Sequence, residues 1–230
     1  MFIAIPSRDR APLRWAVPLL FAALWLCFVA FIVLPDHDQR RLMLDWGALS
    51  GDLAHPGQGS DWLRDGGPLR LFSALFLHAD WAHLIGNLVF LLIFGLPAER
   101  TMGPWRLFAL FLFGGAAANL AAVLMIGTPD RLIIGASGAV SALIGAYLAL
   151  FPGAKLGVVV PLGLFLQFVR VPAPLLIGIW ALLQLVYTFI GPSFGAVAWS
   201  AHLAGFGFGG AFALVARAGI ARRMRRKRGF

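Results

Sequence analysis

Long apolar runs alternate with short polar breaks along this chain, and the runs are too long for buried strands. They predict six membrane-crossing helices, at residues 15–34, 70–96, 107–126, 132–151, 175–190 and 196–215. Roughly 20 helical residues cross a hydrocarbon core of about 30 Å. The first run exceeds the apolar region of a signal peptide, and no small-residue cleavage site follows it, so it reads as a span. Residues 35–69 form a polar, Gly/Pro-rich loop whose Trp46 and Trp62 suggest a segment lying on the membrane surface. Leu156–Val169 is apolar but short, is broken by Pro161 and is followed by Pro172 and Pro174. It is expected to be a buried or interfacial connection rather than a seventh span.

Charge orients this array. With six spans both termini share one side, and that side carries 14 of the 19 Lys and Arg residues. The opposite side holds eight of the ten acids. The positive-inside bias therefore places both termini in the cytoplasm. The expected organisation is a cytoplasmic N-terminus at residues 1–14, a membrane domain at 15–216 and a polybasic cytoplasmic tail at 217–230. A seventh span would send that tail outside.

Composition agrees: hydrophobic residues make up 60% of the chain, charged residues 13%, and mean hydropathy is +0.84. A soluble domain carries about a quarter charged residues. The lone cysteine, Cys27, excludes an internal disulfide and reads as a small hydrophobe in the first span. The net charge of +9 reads as topology and as a contact for anionic lipids at the tail, not as a nucleic-acid surface.

Against this apolar background, four polar side chains fall at overlapping heights. Counting about 1.5 Å per helical residue from the cytoplasmic charges, Ser137 lies about 27 Å up, His83 about 24 Å, Asn87 about 18 Å and His202 about 22–30 Å. The glycines supply close packing: Gly205 and Gly209 form one small-residue face, and Gly138, Ala142 and Gly145 form another. Helices four and six joined through these faces would bring Ser137 within reach of His202. An imidazole that takes a serine proton makes that hydroxyl a nucleophile. No acid lies within spans four to six, so the set is a Ser–His dyad rather than a triad. His83 and Asn87, four residues apart on one helix face, could join the Ser137 backbone N–H as donors to an oxyanion. Asn119 and Gln184 read as helix–helix hydrogen bonds. A metal site is not expected, because no Cys or carboxylate completes a ligand set at that depth.

Together, Gly135-Ala136-Ser137-Gly138 in span four, His83-x-x-x-Asn87 in span two and Ala201-His202-x-x-Gly205 in span six resemble the rhomboid intramembrane serine proteases. The resemblance covers roughly Pro68–Val215. It implies a six-helix, all-α bundle in which Ser137 is the nucleophile and His202 the general base. His83, Asn87 and Gly135 would lie on the oxyanion and substrate side, and His78 matches a histidine that helps hold water near the site. The implied activity is hydrolysis of peptide bonds in or near transmembrane segments of single-span or polytopic membrane proteins, with no cofactor. The setting expected is a bacterial inner (plasma) membrane. Two positions depart from the family pattern: Ser141 stands where many members have an aromatic residue against the histidine, and Leu69-Arg70 where many have Trp-Arg. The rival readings are a non-proteolytic binder of transmembrane helices and a transporter.

Overall fold

The computed structural model describes residues 14–50, 58–126, 131–162, 165–190 and 199–227. The expectations for Arg8 and Arg10, for loop residues 51–57, for the turn at 127–130, for 191–198 and for the last three tail residues lie outside these.

The described chain is almost entirely helical: α1 (Ala16–Ile32), α2 (Asp36–Trp46), α3 (Gln58–Arg64), α4 (Gly67–Ser73), α5 (Trp81–Phe90), α6 (Leu96–Met102), α7 (Pro104–Met125), α8 (Ser137–Leu150), α9 (Ala173–Ile190), α10 (Trp199–Val215) and α11 (Arg217–Lys227). Two short antiparallel pairs interrupt it. Strand β1 (Ala48–Leu49) pairs with β2 (Leu132–Ile133), and β3 (Lys155–Leu162) pairs with β4 (Phe165–Pro172). By length and composition Trp81–Met102, α7 and α9 can each cross a membrane, as can α10 with α11 if that pair, bent by 55°, is one span. Helices α1 and α8 are apolar but shorter.

The second apolar run is divided differently from the expectation. Arg70–Phe76 belongs to α4 and a following 3₁₀ turn, and the spanning helix begins only at Trp81. Asp80 ends the break: its carboxylate accepts the backbone N–H of His83 at 2.8 Å and caps α5. His78 therefore sits in the connection, not in the helix. At the other end the chain stays helical past Leu96, through a π-turn at Leu91–Gly95 and on to Met102. Pro97 follows directly on that π-turn, as the second residue of α6. The expected turn at 97–106 shrinks to Gly103, whose φ is +92°.

Glu99 is consequently not a surface charge. It is 1% exposed, and its two carboxylate oxygens accept the N–H groups of Ala16 and Val17 at 2.9 and 3.1 Å. Those amides open α1 and have no carbonyl of their own helix to bond, so a carboxylate there satisfies them and meets the positive helix end.

Leu156–Val169 is a connection, as expected, but not a buried one. The antiparallel pairing of Lys155 with Pro172, and the bond from the Ala173 N–H to the Ala154 carbonyl at 2.8 Å, return the chain to the end of α8 it left. Leu166 and Phe168 are exposed at 69% and 83%. The Val- and Phe-rich composition favours an extended hairpin here, and Pro172 closes the pairing at its open end.

At the centre stand α8 and α10, with α7 packed against both. Every residue of α8 from Gly138 to Tyr147 is buried. The contact is made by glycines: a Cβ on Gly205 would strike the Gly138 carbonyl, one on Gly209 the Ala142 carbonyl, and one on Gly145 the Phe206 carbonyl. Backbone lies directly on backbone, as the two small-residue faces predicted.

Candidate active site

The site is built around the first residue of α8. After β2 the chain turns through Gly135, whose φ of +106° is open to glycine and strained for other residues. The Gly135 N–H bonds the Ala74 carbonyl at 2.8 Å, tying this elbow to the 3₁₀ turn before α5. A side chain at 135 would also run into the His83 imidazole. Ser137 follows as the first helical residue, and the earliest bond of α8 runs from the Val140 N–H to the Ala136 carbonyl at 2.9 Å. The N–H groups of Ser137, Gly138 and Ala139 precede that bond, so the helix offers them no carbonyl. The nucleophile candidate thus lies among amide donors at the positive end of a helix.

His202, in the first turn of α10, reaches Ser137 across the glycine seam. Its Nε2 lies 2.9 Å from the Ser137 Oγ. Its Nδ1 lies 2.7 Å from Oε1 of Gln184 on α9, a side chain only 6% exposed. Trp199 meets the imidazole edge-on, with ring centroids 6.0 Å apart, and Tyr187 stacks on Trp199 at 4.9 Å. Gln184 does form the expected helix–helix bond, and its partner is the histidine beside Ser137. Apolar periodicity in α9 gave no sign of that. Spans four to six hold no acid, but an amide oxygen can accept from imidazole as a carboxylate does.

Ser141, buried at 2% exposure, donates its hydroxyl to the Ser137 carbonyl at 2.7 Å. His83 is half-buried beside Gly135, in edge contact with His78 at 5.0 Å. His78 is 1% exposed, and its Nε2 accepts the Ala136 N–H at 3.4 Å, so it touches the elbow rather than the serine. Asn87 is buried, and its Nδ2 donates to the His83 carbonyl at 3.0 Å. The other expected helix–helix bond is present too: Asn119 Nδ2 donates to the Leu71 carbonyl at 2.8 Å.

Above Ser137 opens a cavity of about 810 Å³, lined among others by Asp80, His83, Asn119, Arg131, Ser137 and His202. Gly135, His78 and Asn87 are not on its wall. Among the described residues no cluster of His, Cys, Asp or Glu could hold a metal ion.

A family model described as a rhomboid domain matches residues 65–219, which include all of these side chains. The chain belongs to the rhomboid family. It is 30% identical over 154 residues to RHOMBOID-like protein 5 of Arabidopsis thaliana, covering 59% of this chain and 50% of that protein. It is also 30% identical over 130 residues to the rhomboid YdcA of Bacillus subtilis (strain 168), covering 56% and 57%. Rhomboid-related protein 2 of Mus musculus is 30% identical over 112 residues, 48% of this chain and 34% of that protein. In each case the match spans under two thirds of the relative's own length. Family membership and the apolar helices make this an integral membrane protein.

Proposed function

We infer that the protein is an intramembrane serine endopeptidase that cuts peptide bonds in or near transmembrane segments of other membrane proteins. One observation carries the reading: the 2.9 Å approach of His202 Nε2 to Ser137 Oγ, at a helix N-terminus and on the wall of a cavity. Ser137 attacks the carbonyl carbon while His202 takes the hydroxyl proton. The oxyanion forms beside the first amides of α8, and His83 and Asn87 are the side-chain donors proposed to assist. For His83 the support is its place on the cavity wall; for Asn87 it is the shared helix face alone. His202 returns its proton to the leaving amine, and water then releases the acyl group by the same steps in reverse order of roles. Asp80 and Arg131 on the cavity wall keep that route polar. Gly135 shapes the elbow, and His78 steadies it through the Ala136 amide. The substrate helix must unwind locally, because its carbonyls are otherwise bonded within the helix.

The same reading counts α1, Trp81–Met102, α7, α8, α9 and α10 as six spans, with both termini cytoplasmic and residues 15–216 as the membrane domain. The β3–β4 hairpin supports it by leaving α8 and entering α9 at one level. The basic residues of α11 then meet anionic lipids. A bacterial inner membrane is proposed on the charge bias alone.

The test is cleavage of a purified single-span substrate by the protein in detergent or lipid. Wild type is expected to yield two fragments and Ser137→Ala none. Equal cleavage by both would remove the serine mechanism. Binding of uncut substrate by wild type and variant alike would favour the non-proteolytic reading.

A further inference from the structure

We propose that Gln184 is a positioning residue for the reaction, the third member of a Ser137–His202–Gln184 relay in which an amide replaces the acid. This rests on the protease reading above.

An imidazole has two ring nitrogens, and in its neutral form one bears the proton while the other carries the lone pair. Only the form with the proton on Nδ1 leaves Nε2 able to accept from Ser137. Nothing intrinsic to the ring enforces that choice in lipid; the partner of Nδ1 does. Gln184 places its Oε1, which can only accept, 2.7 Å from Nδ1. The Nδ1–H donates to it, and the lone pair at Nε2 faces the Ser137 Oγ at 2.9 Å. One hydrogen bond thus selects both tautomer and ring orientation.

The surroundings show why this partner matters. Gln184 is one of only three buried residues of α9, with Ala173 and Ile177, and the only polar one. It stands among neighbours that face outward: Leu182, Leu183, Leu185 and Val186 are exposed at 59%, 46%, 46% and 41%. An amide in that inward position needs a partner, because hydrocarbon holds no water to satisfy a polar group left unpaired. Its neighbour one turn on, Thr188, bonds the Gln184 carbonyl at 2.8 Å and leaves the side-chain amide to His202. Ser141, where an aromatic would press on the histidine in many relatives, is turned to its own helix. Trp199 and Gln184 hold the ring instead.

An amide carries no charge, so it orients the base without the electrostatic support a carboxylate gives the imidazolium. It therefore acts on the turnover step and not on substrate binding.

The experiment compares Gln184→Leu, which keeps the bulk and removes the acceptor, with Gln184→Glu, which restores an acceptor oxygen. For Gln184→Leu, kcat is expected to fall about 10- to 100-fold with KM within about threefold, and Gln184→Glu to recover most of that loss. Fold is checked for each by thermal unfolding and gel filtration in detergent. A second measurement needs no variant at this position. In ¹⁵N-histidine-labelled wild type, the His202 signal, identified by its absence from His202→Gln, is expected to show a protonated Nδ1 and a bare Nε2. A protonated Nε2, a Gln184→Leu enzyme at wild-type kcat, or a Gln184→Glu enzyme as slow as Gln184→Leu would each overturn the proposal. Ser137→Ala run beside them separates the two claims. If it cleaves like wild type the protease reading itself fails; if it is inactive while Gln184→Leu is not, only the relay fails.

Discussion

His202 is held from two sides by regions built on opposite plans. On one side the α8–α10 seam is glycine against backbone, buried along its length, with carbonyls of each helix in the place of the other's missing side chains. On the other, α9 turns most of its surface outward and reaches the site through Gln184. The seam sets the distance between Ser137 and His202, because two backbones in contact have no adjustable side chains between them. The α9 face offers His202 a single directional bond, from Gln184, which can orient the ring but fixes little else. In lipid this division is economical: apolar side chains gain nothing by leaving hydrocarbon for a helix interface, so close packing and hydrogen bonds carry association.

The largest effect should come from removing either end of the 2.9 Å contact: Ser137→Ala and His202→Ala are each expected to lower kcat about 10³-fold or more, read by fragment yield on a model substrate. Next come substitutions in the seam. Gly205→Val and Gly209→Val would drive side chains into the Gly138 and Ala142 carbonyls, and each should cost about 2–3 kcal/mol in detergent unfolding and reduce cleavage. The matched substitution on the other region is Gly178→Ala in α9, where an added Cβ meets nothing within 4 Å; a change under about 1 kcal/mol is expected. If Gly178→Ala proves as damaging as Gly205→Val, the contrast between the two regions is wrong. Gly135→Ala tests the elbow that opens α8, through its positive φ and the imidazole behind it. About 1–3 kcal/mol of lost stability is expected, with slower cleavage as His83 is displaced. The smallest effect belongs to Ser141→Ala, which removes one bond within α8 and should cost no more than about 1 kcal/mol. Ser141→Tyr should be worse than Ala, since a ring has no room at a position 2% exposed.

Much of this could be read from the residues in order. Glycine spacing along the fourth and sixth runs foretold the seam, since small residues every fourth position leave a groove on one face whatever the neighbour is. Charge placement and the count of spans excluded the stretch around Pro161 as a crossing, and the hairpin agrees. Other features were hidden. Glu99, the charge from which the heights of His83 and Asn87 are counted, is buried against the start of α1, a partner 82 or 83 residues away. The break at residues 77–80 lay in the upper half of the second run, among His78, Asp80 and His83, and it is the capping of α5 by Asp80 that locates it.

By itself, then, the order of apolar and polar residues determined that this chain is a membrane protein and where most of its helices run, while the motifs around His83, Ser137 and His202 carried the resemblance to the rhomboid family. Those properties are local or periodic, so they are written along the chain. Only the tertiary structure decided what holds the histidine. That depends on which of many similar residues on α9 turns inward, and the choice is made by the packing of α9 on α10 rather than by anything near Gln184 in sequence.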